Sequence, residues 1–493
     1  FKKKREHSDE LDPKLTNLAV SIKRRLLESP HRAALEKRFG RQAFDLWKCD
    51  IASFDPAIED DLVEQAKLVA DYRALLATAK FEFQGETLTL SEMMKFNEHR
   101  DRAVRHEADR LRWDWFGENQ GQLDELFDKL VRLRQTMAEK LGFENYIGVG
   151  YQRMQRVDYG QADVEAFRAQ VRELVVPLTV ELRERQARAL GIDSLMAWDE
   201  AIYDPAGNPK AGGDHDWMVE RGSEMFAELG GGMDELYEKM RALNVMDLNS
   251  REGKAAGGFC DVLPEYGLPF IFANFDGTLS DMLESTHEMG HAIQTYVSLK
   301  LPLLDYAFAT AEACEVHSTA LELLSWPQMR LFFGDDAARA CRQHLMQKIF
   351  ILPYIAAVDH FQHLVYANPY CSPADRAAMW QEMERIYVPT LRWGDLAHPA
   401  SGRRWQSQIH LFGYPFYYID YALAQTCAMQ LWVRAATDRA GAMDAYVRLC
   451  HRGGEAPFGE LMKSAGLVSP FEEGCLANVV EYARRQLKLP VSA

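Results

Sequence analysis

The chain has 493 residues, of which 47% are hydrophobic and 11% aromatic, and its formal net charge is −16 at pH 7. A chain of this size can bury a large core, and its acidic balance argues against a nucleic-acid partner. The longest apolar run, residues 349–358, contains a proline and a tyrosine and is too short to cross a bilayer, so we expect no membrane-spanning segment.

Amphipathic helices dominate the first half of the chain. Helical spacing is found over residues 57–79, 120–140, 161–189 and 217–243. A loop with glycine and proline, residues 204–214, separates an N-terminal helical region from the part that carries the candidate chemistry. We therefore predict two regions, an N-terminal helical region at residues 1–205 and a catalytic region at residues 206–493. The basic start at residues 2–5 precedes acidic residues rather than an apolar run, so we do not interpret it as a secretory signal.

Strand signals are sparse. The clearest covers residues 268–275, a stretch of aromatic and apolar residues between Gly267 and Gly277. We predict that it forms the edge strand of a small β-sheet and pairs with an extended substrate.

The most informative motif is the pentapeptide HEMGH at residues 287–291, inside a predicted helix over residues 278–299. Histidines four residues apart, here His287 and His291, lie on one face of a helix and can bind a single zinc ion. The intervening Glu288 then faces the activated water as general base. This is the H-E-x-x-H pattern of zinc peptidases, and it predicts hydrolysis of peptide bonds.

A catalytic zinc ion takes a third protein ligand and keeps one open position. The metzincin arrangement, with a histidine six residues after the second, is excluded because that position holds Val297. The other source is a glutamate on the next predicted helix, residues 309–324. Glu312, Glu315 and Glu322 are the candidates, and helical geometry alone does not choose among them.

Further stretches with helical spacing lie at residues 337–366, 374–387 and 471–487. His360 and His363 could suggest a second metal site, but a surface helix face explains this pair better. The eight cysteines are scattered without paired spacing, which indicates neither a disulfide framework nor a cysteine zinc site. Few and unpaired cysteines favour a reducing, cytoplasmic setting.

Glu315, Ser318 and Glu322 follow one another at intervals of three and four residues. This spacing resembles the second-helix signature of the thimet oligopeptidase and oligoendopeptidase F family of zinc metallopeptidases. Other segments are similar to that family, with the oligoendopeptidase F branch nearest, at residues 146–159, 257–260, 264–275 and 410–421. The resemblance spans roughly residues 120–480.

The resemblance implies a mainly α, bilobed zincin-type fold with a deep substrate channel and a small β-sheet near the zinc site. It makes Glu315 the third ligand, beside His287 and His291, for one zinc ion per chain. Glu288 remains the general base. Glu322 and Glu284 are the glutamates that could orient a ligand histidine.

The resemblance also implies that His410 and a tyrosine of the same segment stabilise the oxyanion of the reaction. Tyr414 and Tyr421 are the preferred catalytic tyrosines, although the interval from His410 to Tyr421 is one residue shorter than in mammalian-type members. Tyr417 and Tyr418 therefore stay as alternatives. The implied substrate-binding residues are Gly258, Phe272, Ala273, Asn274, Tyr417 and Tyr418.

The predicted function is a zinc-dependent endopeptidase that hydrolyses internal bonds of short, unstructured peptides. One alternative is a related helical zinc carboxypeptidase, which would remove single C-terminal residues. Another is a non-catalytic peptide-binding protein, whose expected mark would be loss of Glu288 or of a ligand, and none is lost. The sequence does not decide the oligomeric state, nor does it separate zinc from cobalt or manganese.

Overall fold

The computed structural model describes residues 11–251, 254, 257–275 and 278–489, so the basic start and Gly277 lie outside the described residues. The chain forms two compact units. Unit 1 comprises Phe1–Arg168, Thr179–Gly207 and Leu352–Ile419, and unit 2 comprises Ala169–Leu178, Asn208–Ile351 and Asp420–Ala493. The predicted boundary at 205/206 stays a prediction. Along the chain, unit 1 is followed by unit 2 between Gly207 and Asn208, two residues after the predicted boundary. Residues 352–419 of the predicted catalytic region, however, belong to unit 1.

Unit 1 is built from helices and one short hairpin. Its helices run over Asp12–Leu27, Arg32–Phe39, Arg41–Ala52, Glu59–Ala77, Leu90–Met93, Arg102–Glu118, Gln120–Lys140, Tyr146–Arg153, Pro373–Tyr387 and Ile409–Gly413. The hairpin pairs β1 (Phe81–Phe83) with β2 (Glu86–Leu88) in antiparallel fashion. Gln84 and Gly85 both have positive φ, as a type I′ turn requires. The sequence did not predict these strands because three residues give too few alternations to count.

Helices Gln161–Gln170 and Val176–Leu190 are joined by a single π-helical turn, Val171–Val175, and together match the predicted helix at 161–189. The prediction at 120–140 is confirmed to the residue. Those at 57–79, 337–366 and 374–387 are confirmed within two residues. Gly121 in the first turn of one of these helices and Pro353 inside another do not end them, so the repeat over many residues is the signal that identifies a helix.

An aromatic core in unit 1 holds the segment around residue 410. Trp405 and Phe412 are fully buried. Phe412 stacks on Tyr72 with ring centroids 3.7 Å apart, and Trp405 lies 4.5 Å from the ring of Phe127. The buried guanidinium of Arg134 donates to the carbonyls of residues 411 and 412, so the backbone of this segment is fixed by polar contacts as well as by packing.

His363 does not lie on a surface helix face, and that prediction is wrong. Its side chain is only 5% exposed and contacts the Tyr151 hydroxyl at 3.1 Å. Arg168 pairs with the buried carboxylate of Asp359 at 2.9 Å, and His363 lies 3.3 Å from the same carboxylate. The histidine is thus part of a buried ion-pair network, which explains a polar residue on an apolar helix without invoking a metal.

Unit 2 contains the remaining helices and a three-stranded sheet. Its helices run over His215–Leu229, Met233–Ala242, Leu279–Ser298, Ala311–Leu324, Arg330–Phe333, Arg439–Arg452, Phe458–Ser464 and Cys475–Gln486. Two more helices, Ala337–Ala367 and Ile419–Ala435, contain residues of both units. In the part of the chain that is described, no helix is long and apolar enough to span a membrane.

Two helix predictions in unit 2 need correction. The predicted helix at 217–243 is broken at Gly230, Gly231 and Gly232, which all adopt positive φ. That conformation ends a helix, and glycine reaches it without steric cost. The predicted helix at 471–487 begins later, at Cys475. In both cases the amphipathic pattern runs through residues that local backbone chemistry keeps out of the helix.

The sheet has the order β3–β5–β4, with β3 at Met246–Asn249, β4 at Phe259–Leu263 and β5 at Leu268–Phe275. The residues of β5 are those predicted, but its position within the sheet is not. It is the central strand, parallel to β3 and antiparallel to β4, so the edge-strand prediction is wrong. Buried and half-buried residues alternate along β5, and this pattern fits an edge strand as well as a central strand. The position of a strand in its sheet depends on which other strands pair with it.

Two helices of unit 2 pack closely and carry the candidate metal ligands. We call Leu279–Ser298 the first ligand helix and Ala311–Leu324 the second ligand helix. The first begins with Thr278, whose side chain accepts from the Ser280 N–H. Gly290 lies at the helix crossing, where an added Cβ would be 2.6 Å from the His317 carbonyl oxygen. Glycine therefore permits the close approach of the two backbones.

Candidate metal centre and active site

The first and second ligand helices bring three side chains to one point. Ligand atoms of His287, His291 and Glu315 all lie within 4.8 Å of one another. Glu315 Oε2 is 3.3 Å from His287 Nε2 and 3.5 Å from His291 Nε2. Glu312, the neighbouring candidate, is not part of this group. The structure thus brings together the three residues that were predicted as ligands.

Glu288 lies between the two histidines on the first ligand helix. Its side chain is 6% exposed, and its Oε2 atom has no hydrogen-bond partner within the described residues. Burial raises the pKa of Glu288 above its ordinary value, while His287 and His291 oppose this shift. A buried carboxylate with a raised pKa is typical of a general base, because its proton affinity moves toward neutral pH.

Glu322 supports the first ligand from the second ligand helix. Its Oε1 atom is 2.8 Å from His287 Nδ1, and its Oε2 atom is 2.9 Å from His344 Nε2 and 2.7 Å from Lys348 Nζ. The expectation that Glu322 orients a ligand histidine agrees with this contact. His344 and Lys348 were missed, because they lie one turn apart on a later helix and no local pattern connects them to the motif.

The electrostatics of the cluster favour a bound cation. Burial lowers the pKa of His287, but its hydrogen bonds to Glu315 and Glu322 outweigh burial and raise that pKa to about 10. Burial also raises the pKa of Glu315, yet His291 and His287 hold it well below its ordinary value. The site is therefore built to hold positive charge between the two imidazoles and the carboxylate.

The donor set fits a divalent metal ion. Two imidazole nitrogens and one carboxylate oxygen are the ligands of many catalytic zinc sites. Three carboxylates, Glu288, Glu315 and Glu322, are each at most 6% exposed, and Lys348 is the cation paired with one of them. Glu315 lies against both imidazole rings, and buried carboxylates are normally paired or metal-bound. The residues present thus fit a zinc ion, although cobalt or manganese would satisfy the same donors.

His410 lies in unit 1, close to Tyr414, Tyr417 and Tyr418. The Gln408 amide N–H donates to His410 Nδ1 at 2.7 Å, so the ring proton of the neutral imidazole lies on Nε2. The ring of Tyr418 is 4.7 Å from that of His410, and the ring of Tyr417 is 5.9 Å away. Gln408 was not singled out from the sequence, since an amide next to a histidine carries no distinctive signal.

The four tyrosines differ in their surroundings. Tyr414 is 49% exposed, and its hydroxyl accepts from Arg73 at 2.8 Å. Tyr417 and Tyr418 are half-buried beside His410, whereas Tyr421 lies on the helix that begins at Ile419. His410, Tyr414, Tyr417 and Tyr418 belong to unit 1, and Tyr421 belongs to unit 2. The catalytic roles of His410, Tyr414 and Tyr421 stay predictions.

Comparison with known proteins identifies the family. Residues 232–481 match the model of Peptidase family M3, and residues 1–54 match the Peptidase M3 N-terminal domain. The first match covers both ligand helices and more than half of the chain. The chain belongs to Peptidase family M3.

Solved structures of other proteins agree with membership of family M3. PZ peptidase A, solved with an inhibitor, is 41% identical, with a TM-score of 0.96, over 99% of this chain and 87% of its own. A candidate oligoendopeptidase F from Bacillus anthracis str. Ames is 39% identical, with a TM-score of 0.91, over 99% of this chain and 85% of its own. The mainly α fold with a small sheet and the oligoendopeptidase F-like branch of the M3 family are thereby confirmed.

Among curated proteins, Oligopeptidase PepF of Bacillus subtilis (strain 168) is 22% identical over 241 residues. The aligned stretch is 47% of this chain and 35% of that relative, so the chain spans about a third of the curated protein it matches. The activity and substrates of this M3 family member are therefore proposals that rest on its own site.

Four of the predicted substrate-binding residues of this M3 family member lie on or next to the sheet. Phe272 stacks on Phe259 of β4 with ring centroids 5.1 Å apart. Ala273 is fully buried and its carbonyl accepts from Lys254, and Asn274 donates to the Gly257 carbonyl at 2.9 Å. Gly258 is exposed and directly precedes β4. Their contacts are thus mostly within the sheet, and substrate binding by any of them stays a prediction.

Proposed function

We propose that this M3 family member is a zinc-dependent endopeptidase that cleaves internal bonds of short, unstructured oligopeptides. The observation that carries the proposal is the convergence of His287, His291 and Glu315, with their ligand atoms within 4.8 Å and Glu288 beside them. Three ligands with an adjacent carboxylate are a catalytic rather than a structural metal arrangement. A cytoplasmic location, predicted from cysteine usage, stays a prediction.

The chain's own residues divide the chemistry between them. A zinc ion bound by the two histidines and Glu315 would lower the pKa of its water to about 7 and polarise the scissile carbonyl. Glu288 accepts the proton of the attacking water and passes it to the leaving amine. Its buried, unpartnered Oε2 is available for this, and its raised pKa brings proton uptake and release closer to neutral pH.

An extended substrate needs a backbone partner, and β4 offers one. Because β5 is central, β3 and β4 are both edge strands, and β4 is the one that packs against the first ligand helix. Its terminal side chains, Phe259 and Leu263, are exposed by 48% and 44%. A peptide that pairs with β4 would be held by main-chain hydrogen bonds, which suits cleavage of varied sequences. We assign substrate alignment to β4 rather than to β5, with Phe272 contributing through its stack on Phe259.

His410 is the proposed donor to the oxyanion, with a tyrosine as second donor. The support for this role is its tautomer, since Gln408 leaves the proton on Nε2 and so provides an N–H donor. Tyr418 and Tyr417 lie nearest to its ring, while the hydroxyl of Tyr414 already accepts from Arg73. The second donor is therefore to be sought by comparing phenylalanine variants of all four tyrosines.

The test uses an internally quenched peptide of about ten residues, blocked at both ends, incubated with the zinc-loaded protein and analysed by mass. We expect internal cleavage that a chelator abolishes and added zinc restores. Replacement of zinc by cobalt or manganese in the same assay ranks the metals.

Two other outcomes would overturn the proposal. Release of single C-terminal residues from an unblocked peptide, without cleavage of the blocked one, would show a carboxypeptidase. Tight binding of both peptides by the zinc-loaded protein without any cleavage would show a peptide-binding protein.

A further inference from the structure

The carboxylate of Glu322 is a hydrogen-bonding hub inside unit 2. It is 3% exposed and is approached by donors from two helices. One oxygen, Oε1, faces His287 Nδ1 at 2.8 Å. The other, Oε2, faces His344 Nε2 at 2.9 Å and Lys348 Nζ at 2.7 Å. Because Lys348 is a cation next to a buried carboxylate, Glu322 is held in its ionised, acceptor-only form.

The donor and acceptor of each hydrogen bond can be assigned by starting at Trp326, the residue farthest from the metal ligands. The indole nitrogen of Trp326 lies 3.0 Å from His344 Nδ1. An indole N–H only donates, so His344 Nδ1 accepts, and the proton of its neutral ring is on Nε2. That proton points at Glu322 Oε2. His344 is 1% exposed, so water does not compete for these bonds.

The same reasoning fixes the tautomer of the metal ligand His287. Since ionised Glu322 only accepts, His287 must carry a proton on Nδ1. When its ring is neutral, the lone pair of His287 is then on Nε2, the atom that faces Glu315 at 3.3 Å. A single row of hydrogen bonds therefore runs from Trp326 through His344 and Glu322 to the nitrogen of His287 that does not bind metal.

We infer that Trp326 and His344 are positioning residues of the metal centre, which set the orientation and tautomer of the ligand His287 through Glu322. The inference rests on the proposed function, because it assigns these residues to the zinc site. It goes beyond the ligand set and its first supporting carboxylate. Neither residue touches a ligand, and neither could be connected to the motif from sequence spacing.

A purely structural role would look different. Burying a histidine and its polar partners costs free energy that apolar residues of similar volume would avoid. Trp432 shows what a packing contact alone would contribute, because its ring packs edge-to-face on the ring of Trp326 with centroids 5.2 Å apart. If Trp326 served only to fill the core, its N–H would contribute no more to the metal centre than the ring of Trp432 does.

The experiment measures zinc affinity by competition with a chromophoric chelator, on metal-free full-length protein. We expect His344→Leu to weaken zinc binding about tenfold, as removal of outer partners of metal ligands commonly does. His344→Gln, which keeps an N–H donor, should recover most of that loss. Trp326→Phe should weaken binding by a smaller factor, about fivefold, for the loss of one neutral hydrogen bond.

A double-mutant cycle separates positioning from packing. Trp326→Phe should reduce zinc affinity in the otherwise unchanged protein but not in the His344→Leu background, because the row of bonds is already broken there. Trp432→Phe is the matched control and should leave zinc affinity unchanged in both backgrounds. The unfolding temperature of each metal-free variant is recorded, since a structural role would lower it without changing zinc affinity.

The outcomes distinguish this inference from the proposed function. If the unchanged protein binds zinc but cleaves no peptide, the endopeptidase proposal fails while the affinity series still tests the positioning role. Zinc affinity of His344→Leu equal to that of the unchanged protein overturns the positioning role even if cleavage is normal. Additive effects of Trp326→Phe and His344→Leu would overturn it as well. Failure of the unchanged protein to bind zinc overturns both.

Discussion

Glu288 shows how a single residue acquires its chemistry from its surroundings. The motif places it between two histidines, but its raised pKa comes from burial, with an exposed fraction of 6%. A solvated glutamate at the same position would be a weaker base, because its proton affinity would be too low at neutral pH. The residue type is therefore fixed by the motif, and its strength as a base by the fold.

Replacing Glu288 by glutamine should separate metal binding from turnover. The amide has the same shape but cannot take up the proton, so we expect kcat to fall by about 10²–10⁴-fold with zinc content unchanged. The measurements are cleavage of the quenched peptide and metal analysis of the purified protein. His291→Ala and Glu315→Ala are the comparison variants and should lose the metal. Activity retained by Glu288→Gln would contradict the proposed role.

Asp359 makes unit 1 sensitive to acid. Burial raises the pKa of this carboxyl, but His363 and Arg168 outweigh burial and lower it to about 2, from an ordinary value of 3.8. A carboxyl group whose pKa is lower in the folded than in the unfolded protein stabilises the fold at any pH above its pKa in the unfolded state. This stabilisation is lost as the pH falls through the pKa of the folded state. We therefore expect the free energy of unfolding to decrease between about pH 4 and pH 2.

Asp359→Asn should remove that part of the acid sensitivity. It should also destabilise the protein at pH 7 by about 3–5 kcal/mol, because the buried Arg168 is left without its partner. Urea unfolding at several pH values between 2 and 7 measures both effects. Asp444→Asn, which changes an exposed carboxyl group, is the control. An unchanged slope between pH 4 and pH 2 in Asp359→Asn would refute the assignment.

Several site residues were predictable and others were not, for a physical reason. His287, Glu288 and His291 follow from helical spacing, and Glu315 from the family signature, because both are short-range patterns. Trp326, His344 and Lys348 come from separate elements and contact the site only through tertiary packing. No periodicity of one helix reports on such contacts.

At the scale of elements, the crossing of the two ligand helices depends on Gly290. A Cβ at this position would lie 2.6 Å from both the His317 carbonyl oxygen and Ser318 Cα. Both are backbone atoms, which cannot move without shifting the second ligand helix. Since that helix also carries Glu315, the spacing of the backbones and the geometry of the metal ligands are coupled.

Gly290→Ala should therefore destabilise the protein, although alanine normally favours a helix. We expect a loss of about 1–3 kcal/mol from overpacking and a weaker affinity for zinc. Denaturant unfolding of the metal-free protein and chelator competition measure the two effects. Gly121→Ala is the matched control, because a Cβ added there would meet no other atom within 4 Å, and it should be neutral or stabilise by about 0.4–1 kcal/mol. Equal stability of the two variants would disprove the crossing argument.

The elements themselves were predicted unevenly. Long helices such as Gln120–Lys140 were found because many residues repeat one pattern. Short strands such as β1, β3 and β4 were missed, and β5 was given the wrong place in its sheet. Strand position depends on pairing between distant segments, which one segment's alternation does not encode. The helix break at residues 230–232 is the exception, because three consecutive glycines are a local signal that could have been used.

At the scale of the whole molecule, neither compact unit is a continuous stretch of sequence. Residues 352–419 lie in the predicted catalytic region but pack in unit 1, where Phe412 stacks on Tyr72 and Trp405 contacts Phe127. The boundary predicted at residue 205 divides the chain once and does not describe which residues pack together, so it stays a prediction. Composition and loop signals locate where elements are connected, and they do not report which elements pack together.

A fragment of residues 206–493 should consequently not fold as an independent domain. It would retain the buried Trp405 and Phe412 without Tyr72, Phe127 and Arg134, which surround them in the full chain. We expect no cooperative thermal transition by circular dichroism and aggregation on a sizing column. The full-length protein under the same conditions is the reference. A monomeric fragment that unfolds cooperatively and binds zinc would contradict this expectation and favour the predicted boundary.

Two hydrogen bonds from residues far downstream bear on when the ligand helices are fixed in place during synthesis. Arg439 donates to the Leu324 carbonyl at the end of the second ligand helix, at 2.9 Å, and the Gly454 N–H donates to the Tyr306 carbonyl between the two ligand helices, at 3.0 Å. A ribosome-bound chain that has just exposed His287 and His291 lacks both contacts. The two ligand helices therefore gain these contacts only after residues 439–454 have been synthesised and have folded onto them, so their packing is fixed well after the metal ligands themselves have been made.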